Sequence, residues 1–453
     1  MKIGSEIFTE SSAPVGKWKK SCDSAKGKYR LQTMEVNTHD WYTITTASLG
    51  SAATLKYLTI AGVIYLIVKY LVIPLDWTKE MDESGYSNVP GTGYRRLNQI
   101  DKVRRNRKIG DIPPVYPNGW FMLAESHQIK KNTPLQVTAL GENFALFRGA
   151  DGQCHILHAY CPHLGANMAI GGRIVGDCIE CPFHKWQFNG YDGKCTHIPY
   201  SDKVPKFAEV KRYRSLEVND MIFVWYHAED EEPTWVPDEI PEIASGKYFY
   251  RGRNEFKINA HIQEIPENGS DVWHFNALHS TSVIFGSDIA ANNSDKKFFN
   301  HEWESTWEPS TDPAMRHIGV SKLLHHVKVF GFVLGKLDID IRQMGPGYVE
   351  LKFWTPLGRM VITQTVTPIE PMIQKVVHRV YAPWTMALYA TLMIIGESIM
   401  VERDIMVWNN KKYLERPLLV KEDKALAKYR RWFSQFYSEH SPTYSTTKKS
   451  LEW

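Results

Sequence analysis

Cysteine is scarce in this chain: Cys22, Cys154, Cys161, Cys178, Cys181 and Cys195 are the only ones in 453 residues. A disulfide-framed secreted domain is short and cysteine-dense, so these thiols are expected to stay reduced or to ligate metal. An excess of charge of either sign is also lacking. The net charge is +4, and no stretch interleaves basic and aromatic residues as a single-strand nucleic-acid platform does, so no nucleic-acid partner is expected. Internal repeats are absent, which excludes solenoids and propellers. An apolar stretch near the start, which a secretory leader needs, is absent too: residues 1–56 are polar and mixed.

What is present is globular composition, 43% hydrophobic and 12% aromatic, in a chain long enough for two or three domains. An apolar segment over 57–75 has about the length of a bilayer core, and we expect a transmembrane helix there. A buried core helix is the other reading. Lys69 lies near one end, where its side chain can reach the interface, and Tyr57 and Trp77 resemble interfacial anchors. The linker expected over 76–115 carries Arg95, Arg96, Lys102, Arg104, Arg105, Arg107 and Lys108. By the positive-inside rule this block places the C-terminal side in the cytosol, although Lys17, Lys19 and Lys20 make the N-terminal side basic as well.

From 116 to 228 short apolar runs such as Met221-Ile222-Phe223-Val224-Trp225 alternate with Gly, Asp and Asn turns, the pattern of a small all-β domain. Residues 229–437 mix strands with helices. The second long apolar run, 383–400, contains Glu397 and reads as a buried or membrane-facing helix of this domain. Leu426, Tyr429, Trp432, Phe433 and Phe436 recur at helical spacing, and the Ser/Thr/Lys-rich tail over 438–453 is expected to be disordered.

Two motifs carry chemistry. Cys161-Pro162-His163 and Cys181-Pro182-Phe183-His184 each pair a thiol with an imidazole, inside the β region. Two Cys on one iron and two His on the other define a Rieske [2Fe–2S] centre. Zinc through Cys178-Ile179-Glu180-Cys181 is the rival, but it would leave ligands idle. Cys154, Cys178, Cys195, His155 and His158 read as ordinary strand and loop residues. The second motif is Asp271-Val272-Trp273-His274 with His279, on a stretch expected to be helical with a bend before His279. Two imidazoles beside a carboxylate suit a 2-His-1-carboxylate iron(II) site with open positions for O₂.

The segments CPHLGA and CPFHKWQF, and the D-x-x-H-x-x-x-x-H pattern of Asp271, His274 and His279, resemble those of Rieske non-haem iron oxygenases. Respiratory Rieske proteins carry a disulfide beside the cluster. Ala166 and Phe183 stand at the matching positions here, so the resemblance favours the oxygenase type. It implies that Asp271 is no ligand but a hydrogen-bonding bridge between a cluster histidine of one subunit and an iron histidine of the next. It also implies a downstream carboxylate as third ligand, Asp404, with Glu402 as runner-up.

Over residues 55–435 the chain resembles the Neverland family of animal cholesterol 7-desaturases. The resemblance rests on the apolar segment, on Tyr116 to Phe121, on both motifs and on the Asp404 segment. It implies an α+β fold, with an all-β Rieske domain, a helix-grip catalytic domain and an N-terminal transmembrane helix. It further implies O₂, NAD(P)H as electron source through a ferredoxin- or reductase-type donor, cholesterol as substrate, and a head-to-tail homotrimer. The expected location is a membrane, the endoplasmic reticulum, with the catalytic domains facing the cytosol. A Rieske electron carrier without its own chemistry and a membrane-tethered sterol-binding module are the other classes in view. Val283, Ile284 and Phe285 suit either a pocket wall or a core.

Overall fold

A computed structural model describes residues 52–289 and 298–451. Cys22 and the basic residues before 51 lie outside that range. Helix Ala52–Ile67 continues as a π-helical turn, Val68–Val72, and its apolar window over Thr54–Val72 is unburied.

The β region forms three small antiparallel sheets. One joins Leu135–Ala139, Glu142–Arg148, Cys154–His158 and Arg212–Tyr213; a second joins Gly119–Glu125, Ser215–Val218 and Met221–Tyr226. The third joins Arg173–Val175, Cys178–Glu180, Gln187–Asn189 and Cys195–His197. Asn219 and Asp220 turn the hairpin between Ser215–Val218 and Met221–Tyr226 with φ of 52° and 59°. Asn and Asp tolerate that left-handed geometry, which matches strand twist.

The rest is built on one eight-stranded sheet. Its order is Leu75–Lys79, Phe249–Asn259, Ile373–Ala382, Gly358–Glu370, Tyr348–Thr355, Phe332–Met344, Ile318–Val329 and Phe299–Pro309. Leu75–Lys79 runs parallel to Phe249–Asn259, with Leu75 opposite Gly252, next to a bulge at Arg251. A Cβ at Gly252 would lie 2.2 Å from the Leu75 carbonyl, so only glycine admits this strand. Helix Ala387–Trp408 packs on the sheet through Ala390, Ile394, Ser398, Val401 and Ile405, a stripe at helical spacing. Phe256, Ile258 and Val376 of the sheet share one core with Phe121, Leu123 and Ile156 of the β region.

Three expectations need correction. The linker over 76–115 is not a linker throughout. It begins inside the strand Leu75–Lys79 and contains helix Gly93–Asn106, and Arg107 donates to the carbonyls of Asn259 and Lys411. Trp77 is no membrane anchor: its indole N–H donates to Glu402 at 3.2 Å, within this domain. The 438–453 tail is ordered as far as it is described. The Val115 amide bonds the Pro442 carbonyl, His440 pairs with Glu229, and Tyr444–Leu451 is helical. Tyr444 packs against the main core, and that burial offsets the polar composition.

Candidate functional site

The two Cys/His loops have the same local build. The Cys161 amide bonds the Ala166 carbonyl, and the Gly165 amide returns to the Cys161 carbonyl. The Cys181 amide bonds Trp186, and Lys185 returns to Cys181, at the same offsets. The fourth residue after each Cys is left-handed, Gly165 at φ 73° and Lys185 at φ 62°. Each loop thereby closes on itself and sends one thiol inward and one imidazole out. Cys161 and Cys181 are buried, and burial raises the Cys161 thiol to about 12. The His163 and His184 rings lie 4.6 Å apart, and His163 stacks on Trp186 at 4.7 Å.

This donor set fits a Rieske cluster. Two soft thiols adjoin two neutral-capable imidazoles, and the buried His163 Nδ1 lacks any protein partner. The zinc alternative is not assembled: Cys178 faces Thr196 at 3.5 Å, and Cys195 lies 3.6 Å from the His197 carbonyl.

The second site joins two segments distant in sequence, 271–279 and the helix that carries Asp404. Asp271 caps helix Val272–Leu278, its Oδ1 accepting from the amides of Trp273 at 3.0 Å and His274 at 3.1 Å. His274 Nδ1 donates to the Asp271 carbonyl, which leaves its buried Nε2 without a partner. The bend expected before His279 is not there: the helix runs unbroken to Leu278, the His279 amide still bonds the Phe275 carbonyl at 3.0 Å, and His279 ends the helix with φ −107° and ψ 7°. Its Nε2 lies 3.1 Å from Asp404 Oδ1, and its ring stands 5.3 Å from His274 at 85°. One ligand atom from each of His274, His279 and Asp404 lies within 4.8 Å of the others. Burial lowers the pKa of His274, which favours the neutral, ligating form. The unpartnered His274 Nε2, the His279 imidazole and the Asp404 carboxylate that its Nε2 meets are a donor set that fits a mononuclear iron.

Glu402 is turned away. It accepts from Lys79 Nζ at 2.5 Å, Trp77 Nε1 at 3.2 Å and Ser287 Oγ at 2.9 Å. Nor are Arg403 and Asp404 a surface pair. Arg403 is fully buried and donates to the carbonyls of Leu278, Thr281, Ser282 and Gly286, the turn after His279. Asn276 fixes the helix from the other side by pairing its amide with both backbone groups of Trp303, at 2.8 and 2.9 Å. Trp303 lies on Phe299–Pro309, the last strand of the sheet, whose free edge supplies those groups. Neither positioning residue is conspicuous in the sequence, where a lone Arg or Asn carries no motif.

Beside these ligand atoms the helix and sheet enclose a cavity of about 400 Å³. Its walls include Leu323, Leu337, Ile339, Phe353 and Met400, and Val283 lines it too, whereas Ile284 is exposed. Polar side chains also line it, Ser321, Gln343 and Gln364 among them. His301 Nδ1 and His325 Nε2 are 2.7 Å apart, and both rings are held neutral by burial, at about 4 and about 3. Glu397 bonds Asn254 and sits 3.1 Å from His378, and burial raises its carboxyl to about 8. Alternation along the strands marks His301 and His325 as inward-facing; Glu397 is seven residues, two helical turns, before Asp404.

Residues 119–208 match the Rieske [2Fe-2S] domain model, and 224–437 match the 3-ketosteroid 9alpha-hydroxylase C-terminal domain. A Xenopus laevis protein named cholesterol 7-desaturase nvd is 45% identical over 390 residues, 85% of each chain. The chain belongs to the Neverland family of Rieske oxygenases. A Ciona intestinalis member, cholesterol 7-desaturase nvd 1, is 40% identical over 446 residues, 96% of this chain and 94% of its own. Among solved structures, dicamba monooxygenase bound to dicamba aligns with a TM-score of 0.51 at 16% identity, over 72% of this chain and 98% of that one. That likeness extends the family's fold, Rieske domain plus mixed α+β domain, to this chain. As a Neverland-family enzyme it is a Rieske non-haem iron oxygenase with a [2Fe–2S] cluster and a mononuclear iron.

Proposed function

We propose that this enzyme desaturates cholesterol between C7 and C8, giving 7-dehydrocholesterol, an early step of ecdysteroid-type hormone synthesis. The substrate loses two hydrogens, a ferredoxin- or reductase-type donor fed by NAD(P)H supplies two electrons, and O₂ leaves as two waters with two protons from solvent. The observation that carries the reading is an apolar cavity of about 400 Å³ that meets His274, His279 and Asp404. Volumes of roughly 300–1,000 Å³ are usual for small-molecule sites, and these walls suit a rigid apolar ring system. The 3-ketosteroid domain match supports a steroid skeleton.

In this reading Cys161 and Cys181 hold one iron of the cluster, and His163 and His184 hold the other. His274, His279 and Asp404 hold the mononuclear iron. When bound, the two centres supply O₂ activation and stored electrons. The chain's own residues do the rest. The Asp271 carbonyl fixes the His274 tautomer, Arg403 holds the turn behind His279, and the apolar walls exclude water and orient C7 and C8.

The assembly is a head-to-tail homotrimer in which Asp271 bridges to His184 of a neighbour. Asp271 keeps part of its carboxylate exposed beside the exposed Trp273, and Leu164 and Phe183 present apolar side chains around the cluster. Residues 116–228 act as the electron-storing domain and 229–437 as the sterol domain. The helix over 54–72 anchors the chain in the endoplasmic reticulum membrane, with both domains in the cytosol.

The test is to supply cholesterol to cells expressing the chain. A product lighter by two hydrogens, with conjugated-diene absorbance, is expected. A product heavier by one oxygen would make the enzyme a sterol hydroxylase instead.

A further inference from the structure

The register of the large sheet brings one set of strand ends to a single edge: Leu75, Phe249, Ala382, Gly358, Thr355 and Phe332. Val329 and Phe299 continue it. The last cross-strand pair between Phe332–Met344 and its neighbour Tyr348–Thr355 is Asp338 with Trp354. Residues 332–337 therefore project beyond that neighbour, and with Ile318–Val329 they form a hairpin that overhangs the edge. Its tip is apolar and open: Phe330 is 74% exposed, Phe332 75% and Leu334 72%, with Val333 between them. Phe298 packs on Phe330 at 5.8 Å and is itself exposed.

The same edge carries Phe249, Leu357, Trp384 and Leu388, all exposed. Scattered exposed apolar residues are ordinary; a continuous band of them at one end of a sheet is not. The band also meets the cavity. Leu392, one helical turn after Leu388, lines the cavity and is 57% exposed, and Val327 and Leu337 line it just behind the hairpin tip.

The geometry points to this edge as a second membrane contact, a docking face that seats the cavity mouth on a phospholipid leaflet and takes substrate directly from the lipid phase. The inference rests on the sterol reading for the nature of the cargo. Three observations select a bilayer as the occupant. First, the π-helical turn Val68–Val72 sits at this edge. Thr391 Oγ1 donates to the Tyr70 carbonyl at 3.0 Å, and Arg251 donates to the Leu71 carbonyl at 2.6 Å. Residues 68–72 then run directly into Leu75. Second, Trp354 sits under the Arg359 guanidinium at 3.9 Å, an aromatic-basic pair suited to the headgroup layer. Third, the lysines flanking the tip are paired, Lys328 with Glu302 at 2.5 Å and Lys336 with Asp338 at 3.4 Å. The contact is thus apolar rather than ionic, and it suits zwitterionic lipid.

The full chain reconstituted in phosphatidylcholine vesicles tests this. A photoreactive benzophenone amino acid replaces Phe332, and in a control it replaces the exposed Phe207 of the Rieske domain. Phospholipid adducts are expected at 332 and not at 207. Adducts at 332 to protein alone, a second copy included, or equal lipid labelling at both positions, overturn the proposal. A second measurement uses the triple variant Phe330→Ser, Phe332→Ser, Leu334→Ser, at positions outside the cavity wall. Turnover of cholesterol embedded in the vesicles should fall about tenfold while turnover of cyclodextrin-delivered cholesterol stays unchanged. Equal loss by both routes refutes lipid docking. Lipid labelling at 332 without any sterol turnover by the unaltered chain would sink the substrate reading and leave the docking face standing.

Discussion

Arg403 offers the sharpest test of how the iron site is held. Its guanidinium is buried, has no carboxylate in bonding contact among the described residues, and bonds four backbone carbonyls in the turn from Leu278 to Gly286. Arg403→Met keeps most of the length and removes every donor. A hydrogen bond to a charged donor contributes about 1.5–3 kcal/mol, and the contributions are not additive once the turn relaxes. We expect about 3–5 kcal/mol of lost stability, concentrated in the turn after His279. Loss of an outer partner of a metal ligand typically weakens metal binding about 10–100-fold. The assay is the ratio of mononuclear iron to cluster iron in purified protein, with the reduced cluster EPR signal as internal reference. The ratio should fall in Arg403→Met and recover partly in Arg403→Lys, which restores charge but not the fork. A merely structural role would lower thermal stability and leave the ratio alone. A folded Arg403→Met protein with unchanged iron affinity would refute the positioning argument.

Asp404→Ala should lose mononuclear iron and keep the cluster signal, whereas Glu402→Gln should keep both, since Glu402 is engaged by Lys79, Trp77 and Ser287. Asp271→Asn should retain the helix cap and both metals but lose turnover; His184→Ala and His274→Ala chains, each inactive alone, should recover part of the activity in proven mixed trimers. Removal of residues 1–73 should release the protein from microsomes far more readily with both metal sites intact, while extending the deletion to 80 should destabilise it by stripping the strand Leu75–Lys79 from the sheet. Glu397 has its carboxyl raised from 4.5 to about 8, so its stabilising contribution is full below 4.5 and fades as pH rises through 8. Glu397→Gln, followed by thermal melts across that window, should flatten this decline, and an unchanged pH profile would show that Glu397 does not titrate there.

The cluster was legible in the sequence because each Cys/His loop closes through its own backbone, so residue type and short spacing nearly determine the ligand geometry. The same holds for Asp271, His274 and His279, which one capped helical turn and its end bring together. The two β-rich and mixed regions were legible too, since strand alternation and turn residues are local signals. Only the tertiary structure decided the rest. Positions 402 and 404 lie about 200° apart around a helix, so which carboxylate meets the histidines depends on the phase in which Ala387–Trp408 docks on the sheet. Trp77 and Leu75–Lys79 looked like membrane flank and linker, because nothing in five residues reveals a parallel partner more than 170 residues away. The tail after 437 looked disordered because its composition is polar, yet contacts with Val115 and Glu229 order it. Arg403, Asn276 and the hairpin tip at 330–334 acquire meaning only once long-range packing shows which carbonyls, which edge and which cavity they face.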